Sequence, residues 1–278
     1  MDYHSRPEIS ATMLKKMATG TCLDYWSAFV DPNRKPVEPT AAMLQGSLVD
    51  CKITEPEKFN DRYVVAPKGD KRKRAIKEAW EEAELIARQK SAQVIDSETN
   101  DIADRICATL RSDSFISFHL TKTGQNPHFW KDERFDADCR YMPDIEDPEA
   151  GLLLDLKKAR SANPSFFTSQ AYSLGYDIQM AHYAEGYKDR YGEYPRKIVL
   201  LAYEWAYPFN ASFNVVTDEF LEEGRRRRDQ AMIDIAECTG INEWPSYGLH
   251  YIKPPSWSRP EDSANSTSAD DLELEGLS

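Results

Sequence analysis

Ten residues separate Asp144 from the triplet Asp155-Leu156-Lys157, and Pro143 precedes Asp144. Strand side chains alternate between faces, so Asp155 and Lys157 emerge together if GLLLDLK (151–157) is a strand. The three leucines that precede Asp155 predict that the strand is buried. A carboxylate and an ammonium at the end of an apolar strand are costly to bury unless something pairs them. A divalent cation supplies the missing charge. Asp144, expected at the end of the preceding strand, would approach Asp155 across a hairpin. Two converging carboxylates make a hard oxygen site suited to Mg²⁺ or Mn²⁺. Such an ion lowers the pKa of a water and stabilises a phosphate under attack, and Lys157 would orient or deprotonate that water. Taken alone, the same spacing also fits a surface hairpin with an ordinary salt bridge.

A second pair of residues tips that balance. Gln179 and Tyr183 are four apart and share one helix face. A helix packed beside the strands would aim Gln179 at the catalytic water or at a phosphate, with Tyr183 next to it. Tyr176, nearby in the same run, reads as a core-edge residue. Other metal chemistry finds little support. The histidines (4, 119, 128, 182 and 250) are scattered, and His182 reads as a packing or surface residue. The five cysteines (22, 51, 107, 139 and 238) form no CxxC pair, which predicts reduced thiols with no zinc ribbon and no iron–sulfur cluster.

The elements that must position these residues follow from pattern and punctuation. Residues 9–20 predict a short helix with Ser10 as cap and Gly20 as stop. Helices are expected over 39–53, over the Lys/Glu/Ala-rich 72–92, and over 98–112. Short strands are expected at 115–120, 127–130, 136–142 and 151–157. One long helix is expected over 165–192, strands over 197–205 and 211–217, and a last helix over 217–240 between Thr217 and Gly240. The order predicts a mixed α/β domain over 1–253. From 254 the chain turns Pro-, Ser- and acid-rich, which predicts a disordered acidic tail.

Net charge is −12, and residues 260–278 carry half of it in six acids and no base. The rest retains basic clusters. Lys71, Arg72 and Arg74 lie in a KGDKRKR run that could contact a phosphate backbone, and an acidic protein can still grip DNA through such patches because salt screens distant charge. Arg225 to Arg228 fall on a helix, where consecutive residues point around the axis; they form no single patch. No run is long enough to cross a membrane and no signal-peptide core opens the chain, so a cytoplasmic location is expected.

Several segments together resemble a known family. They are ISATMLKKM, AMLQGSLVDCKITEPEKF (42–59), FWKDE (129–133), CRYMPD (139–144), LLLDLKKA (152–159), GYDIQMAHY (175–183), YEWAYPF (203–209) and WPSY (244–247). Over residues 4–250 the chain resembles the RecE/exonuclease VIII type of phage exonuclease, within the PD-(D/E)XK nucleases. The resemblance implies a PD-(D/E)XK core, a central mixed β-sheet flanked by helices, with extra N-terminal helices. It implies Mg²⁺-dependent 5′-to-3′ digestion of double-stranded DNA ends, a ring-like homo-oligomer, a single-strand annealing partner and a bacterial host cell. By position, Asp144, Asp155 and the Leu156 backbone carbonyl are its metal ligands, Lys157 is its catalytic lysine, and Gln179 and Tyr183 match its helix motif. Four positions depart. Asp50 replaces a histidine and can still ligate a metal; Gln125 replaces a glutamate; Met142 replaces an arginine, for which Arg140 would stand in at the phosphate; and Lys158, a further DNA contact, replaces a threonine. These changes keep open an alternative: a catalytically weakened nuclease-fold protein that binds DNA or a partner without cutting. An endonuclease on the same fold is a further alternative.

Overall fold

The computed structural model describes residues 3, 6–35, 38–70, 72–119, 125–249 and 251–252. Met1–Ser246 is one compact unit and Tyr247–Ser278 another. The described residues of the second unit, 247–249 and 251–252, carry no helix or strand. Lys71 and the acidic tail lie outside the described residues.

Helix α1 (Ala11–Thr19) starts where the Ser10 hydroxyl accepts from the Met13 N–H, as the sequence predicts. Then come α2 (Cys22–Tyr25), α3 (Ala41–Thr54), α4 (Phe59–Arg62), β1 (Tyr63–Ala66), α5 (Arg74–Lys90), β2 (Gln93–Asp96), α6 (Ser97–Ser112) and α7 (Ser114–His119). Strands β3 (His128–Asp132), β4 (Ala137–Tyr141), β5 (Ile145–Asp147) and β6 (Leu152–Ala159) follow. Helices α8 (Pro164–Ser173) and α9 (Tyr176–Tyr191), strands β7 (Lys197–Glu204) and β8 (Ala211–Val215), and helix α10 (Asp218–Ile241) complete the unit. Among the described residues no helix is long and apolar enough to cross a membrane.

The central sheet runs β5-β6-β7-β8, with β6 and β7 parallel and both outer pairs antiparallel. It is the mixed sheet expected. Strand β6 has the two faces its sequence requires. Leu153 and Ala159 join a core formed with α1, α8, α9 and α10. Leu152, Leu154 and Leu156 join a second core with α3 and α6. Asp155 and Lys157 therefore look toward the α1/α9 layer, and Lys158 toward α3, where it reaches Gln45 Oε1.

Three expectations are corrected. The strand expected at 115–120 is a helix over its described residues: 114–119 form α7, whose first turn closes from the Ser117 N–H to the Asp113 carbonyl, and which leaves Phe118 exposed while His119 is buried against Asp147; residue 120 lies outside the described residues. Local β-propensity yields there to tertiary context. Residues 165–192 are not one helix: Gly175, at φ +68°, breaks the run into α8 and α9. Asp144 does not end the strand before the hairpin. Strand β4 pairs with β3 in a separate two-stranded sheet, and Asp144 opens β5, which the sequence reading missed. The parallel pair β1–β2, joined by α5, was also missed, because each strand is only four residues long.

Helix α9 is held by a buried polar chain. Arg228 of α10 pairs with Asp132 and with Asp229 (2.7 Å), and its Nε donates to His182 Nδ1 at 3.4 Å. His182 Nε2 bonds the Arg140 carbonyl at 3.0 Å, so the ring is neutral with its proton on Nε2. Burial and the Arg228 charge push His182 down to about 3. The arginine run is thus divided: Arg227 pairs with buried Asp177 at 2.8 Å, whereas Arg225 pairs with Glu222 and Arg226 with Glu223 at the surface.

Helices α9 and α10 touch where Gly224 faces Asp177. A Cβ on Gly224 would lie 2.1 Å from the Asp177 carbonyl oxygen, a backbone atom that cannot swing aside. Gly224→Ala is expected to destabilise the protein by about 1–3 kcal/mol, as overpacking does, read as a lower urea midpoint.

Candidate active site

The register from Ile145–Leu154, continued by one residue, sets Asp144 opposite Asp155. The two side chains share a cavity of about 610 Å³ with Asp50, Lys157, Gln179 and Tyr183. Asp144 Oδ2 accepts the Leu156 N–H at 2.7 Å, which fixes the carboxylate across the hairpin. Gln125 bonds the same carboxylate. Asp50 enters from α3, where Leu48, Val49 and Cys51 are buried and Asp50 is turned to the cavity beside Ser47.

Charge distinguishes this group from the other buried acids. Glu146 is bonded by Arg190, Tyr141 and Tyr191; Asp147 meets His119; Asp177 meets Arg227; Asp132 meets Arg228 and Arg134. Asp155 has an ion pair, with Lys157, and Glu55 at the cavity edge pairs with Lys58 and Arg62. Asp50 and Asp144 have none among the described residues. Burial and the Asp155 charge push Asp144 up to about 7. Burial and the Asp144 charge likewise raise Asp50 well above the carboxylate range. Burial works against the Lys157 proton, but the Asp155 and Asp144 charges outweigh it and hold the ammonium above its ordinary value.

A group of oxygens with too much negative charge fits a hard divalent cation. Asp155 Oδ2 is buried with no hydrogen-bond donor besides the Lys157 ammonium lying against it, so it has a lone pair to give. Among the described residues no three His, Cys, Asp or Glu side chains form a closed cage. Two carboxylates with open positions are the arrangement that leaves room for a phosphate.

Helix α9 completes the wall. Gln179 Nε2 lies 3.4 Å from Asp155 Oδ1, and its Oε1 accepts from Lys15 of α1 at 2.8 Å. The Tyr183 hydroxyl donates to the Met142 carbonyl at 3.2 Å and so pins the Met142-Pro143-Asp144 turn. Burial, then the Asp155 charge, raises its pKa. Tyr176, read from sequence as core edge, lies 4.8 Å from the Lys157 ammonium across its ring.

Asp50, Asp144, Asp155, Leu156, Lys157, Gln179 and Tyr183 are thus brought together. The proposed DNA contacts are not all beside them. Arg140 is buried, with its guanidinium on the carbonyls of Tyr3 and Glu8. It lies on the face of β4 opposite Cys139 and Tyr141, where the N-terminal segment covers it. Lys158 faces the opposite side of the sheet from Lys157. Arg72 and Arg74 are exposed beside α5. The sequence reading missed Lys15, whose spacing from buried Ala11 hinted at an inward face, and Lys58 and Arg62, four apart, which line the cavity opposite the acids while paired to Glu55.

The sign of the pH dependence follows. Asp144 has a folded pKa above its unfolded value near 3.8. The stability it contributes without a cation is complete below that value and is lost as pH rises through about 7. Asp50 acts in the same direction. Urea unfolding without divalent ions is expected to show stability falling across that window, flattened in Asp144→Asn. Added Mg²⁺ should raise stability at about pH 8 far more than at about pH 5, because the ion displaces protons. An unchanged profile in Asp144→Asn would refute the assignment.

The comparisons bear on fold and family. None of the functionally curated proteins is significantly similar in sequence to the chain. The crystal structure of a candidate exonuclease from Eubacterium rectale shares the fold, with a TM-score of 0.62 over 90% of this chain and 91% of that one at 17% identity. The sequence profile described as a PDDEXK-like domain of unknown function (DUF3799) matches residues 10–253. The chain belongs to that PDDEXK-like family.

Proposed function

We propose that this protein is a metal-dependent deoxyribonuclease that digests linear double-stranded DNA from its ends. The carrying observation is that Asp144 and Asp155, from adjoining strands, converge with Lys157 and Asp50 on one cavity, where Asp144 and Asp50 have no ion-pair partner among the described residues. Asp144 and Asp155 would hold Mg²⁺ or Mn²⁺, with Asp50 and the Leu156 carbonyl as further oxygens. The ion would neutralise the carboxylates and stabilise the charge that builds on a phosphate under attack.

The chain's own groups do the rest. Lys157, held protonated by its two carboxylate neighbours, donates to and orients a water or a phosphate oxygen. Neutralising those carboxylates would remove the bias and lower the Lys157 pKa, so that it could release its proton to solvent and then, as the free amine, accept one from the attacking water. Gln179 positions Asp155, and Tyr183 positions the turn that carries Asp144. Lys58 and Arg62 present cations across the cavity, as a polyanionic substrate requires. Exposed Arg72 and Arg74 would meet the backbone further out. The resemblance to RecE-type enzymes supports 5′-to-3′ polarity, a ring-like homo-oligomer and an annealing partner in recombination, in the cytoplasm of a bacterial host.

Linear duplex labelled at either end is expected to be degraded from the 5′ ends with Mg²⁺, and Asp155→Ala or Lys157→Ala to lower the rate by about 10³-fold or more. Closed circular duplex should survive. Cutting of circles would make the protein an endonuclease. Intact linear duplex that is nonetheless bound would establish the non-cutting alternative.

A further inference from the structure

We propose that Lys15, on α1, is a positioning residue of this site: its ammonium fixes the Gln179 amide so that Nε2 faces Asp155. The kinetic consequence rests on the nuclease reading; the structural claim does not.

An amide can turn its oxygen or its nitrogen toward a neighbour, and the neighbours decide. A lysine ammonium has only donors and a carboxylate only acceptors. Gln179 lies between the two, with Oε1 2.8 Å from Lys15 Nζ and Nε2 3.4 Å from Asp155 Oδ1. Only this orientation satisfies both. The reverse sets NH₂ against NH₃⁺ and oxygen against carboxylate. Gln179 thereby donates to Oδ1 and leaves Oδ2 of Asp155 to Lys157 and the cavity.

The surroundings fit a placed lysine better than a structural ion pair. Among the described residues no carboxylate forms an ion pair with Lys15. Its ammonium is 5.5 Å from the Tyr176 ring, which also carries Lys157 at 4.8 Å. Burial and the Lys157 charge push Lys15 down to about 7, against the pull of Asp155. A buried cation with no carboxylate partner is costly and persists only where something uses it.

Backbone makes room for it. A Cβ on Gly175 would stand 2.9 Å from Lys15 Cγ and 3.3 Å from Cδ. Gly175 also has the left-handed φ that separates α8 from α9. One glycine therefore starts the helix that carries Gln179 and opens the groove for the lysine stem that aims it.

The test combines Lys15→Met, Lys15→Arg, Gln179→Ala and the double variant Lys15→Met/Gln179→Ala in the full chain. The Gln179 side-chain amide signal, assigned in ¹⁵N spectra by its loss in Gln179→Ala, is expected to move in Lys15→Met and to stay near its native position in Lys15→Arg. On linear duplex with Mg²⁺, each of Lys15→Met and Gln179→Ala should lower kcat about tenfold with KM within about twofold, and the double variant should be no slower than the slower single, since both remove one interaction. Gly175→Ala should move the same amide signal. Multiplying losses, or an unmoved amide signal in Lys15→Met, would overturn the proposal. A moved signal in a protein that hydrolyses nothing would keep Lys15 in this role and reject the nuclease reading.

Discussion

Three carboxylates around one poorly hydrated cavity repel one another, and much of the architecture answers that repulsion. At the effective dielectric of a protein, two unit charges about 4 Å apart cost about 4 kcal/mol. The protein meets it with hydrogen-bond donors, with one ammonium and with protons. The Leu156 N–H and Gln125 serve Asp144; Gln179 and Lys157 serve Asp155; Asp144 and Asp50 bind protons more tightly than free carboxylates do. Among the described residues, the other buried acids (Glu55, Asp132, Glu146, Asp147 and Asp177) each face a Lys, Arg or His side chain. Here the deficit is left open, which is what a site for a hard cation requires.

The departures from the nuclease pattern make sense in those terms. Gln125 bonds Asp144, where a glutamate would have added a fourth negative charge to the same wall. Asp50 brings an oxygen from α3 to the place where the related pattern has a nitrogen. Met142 contributes its carbonyl to Tyr183, and the turn before Asp144 is fixed by backbone rather than by a guanidinium. The neighbouring Arg140 is committed to the N-terminal segment through Tyr3 and Glu8.

Much of this was legible in the sequence. Period and punctuation marked α1, α3, α5, α6 and α10 closely, since capping residues such as Ser10 and Thr217 act locally. Alternation along GLLLDLK placed Asp155 and Lys157 on one face, and four-residue spacing placed Gln179 beside Tyr183. Short elements were harder. Strand β5 is three residues long, with Glu146 and Asp147 buried only because Arg190 and His119 wait elsewhere in the chain. The break at Gly175 was hidden inside a run of good helix formers. Lys15 meets Gln179 across 164 positions, a contact no local pattern encodes. Arg228 read only as part of a run that forms no single patch, because its partner Asp132 lies 96 positions away.

Strand β6 has its hydrogen-bonded neighbours on very different schedules. Antiparallel β5 lies only a short turn away, whereas parallel β7 follows the whole of α8 and α9. Closing that crossover is the slow, non-local step expected of parallel pairing. During synthesis from the N-terminus, α1 and α3 leave the ribosome well before the strand that needs them. The cavity is therefore assembled from elements far apart in the chain, with α3 before β6 and α9 after it. No fragment that stops short of α9 carries the whole set of side chains that line it.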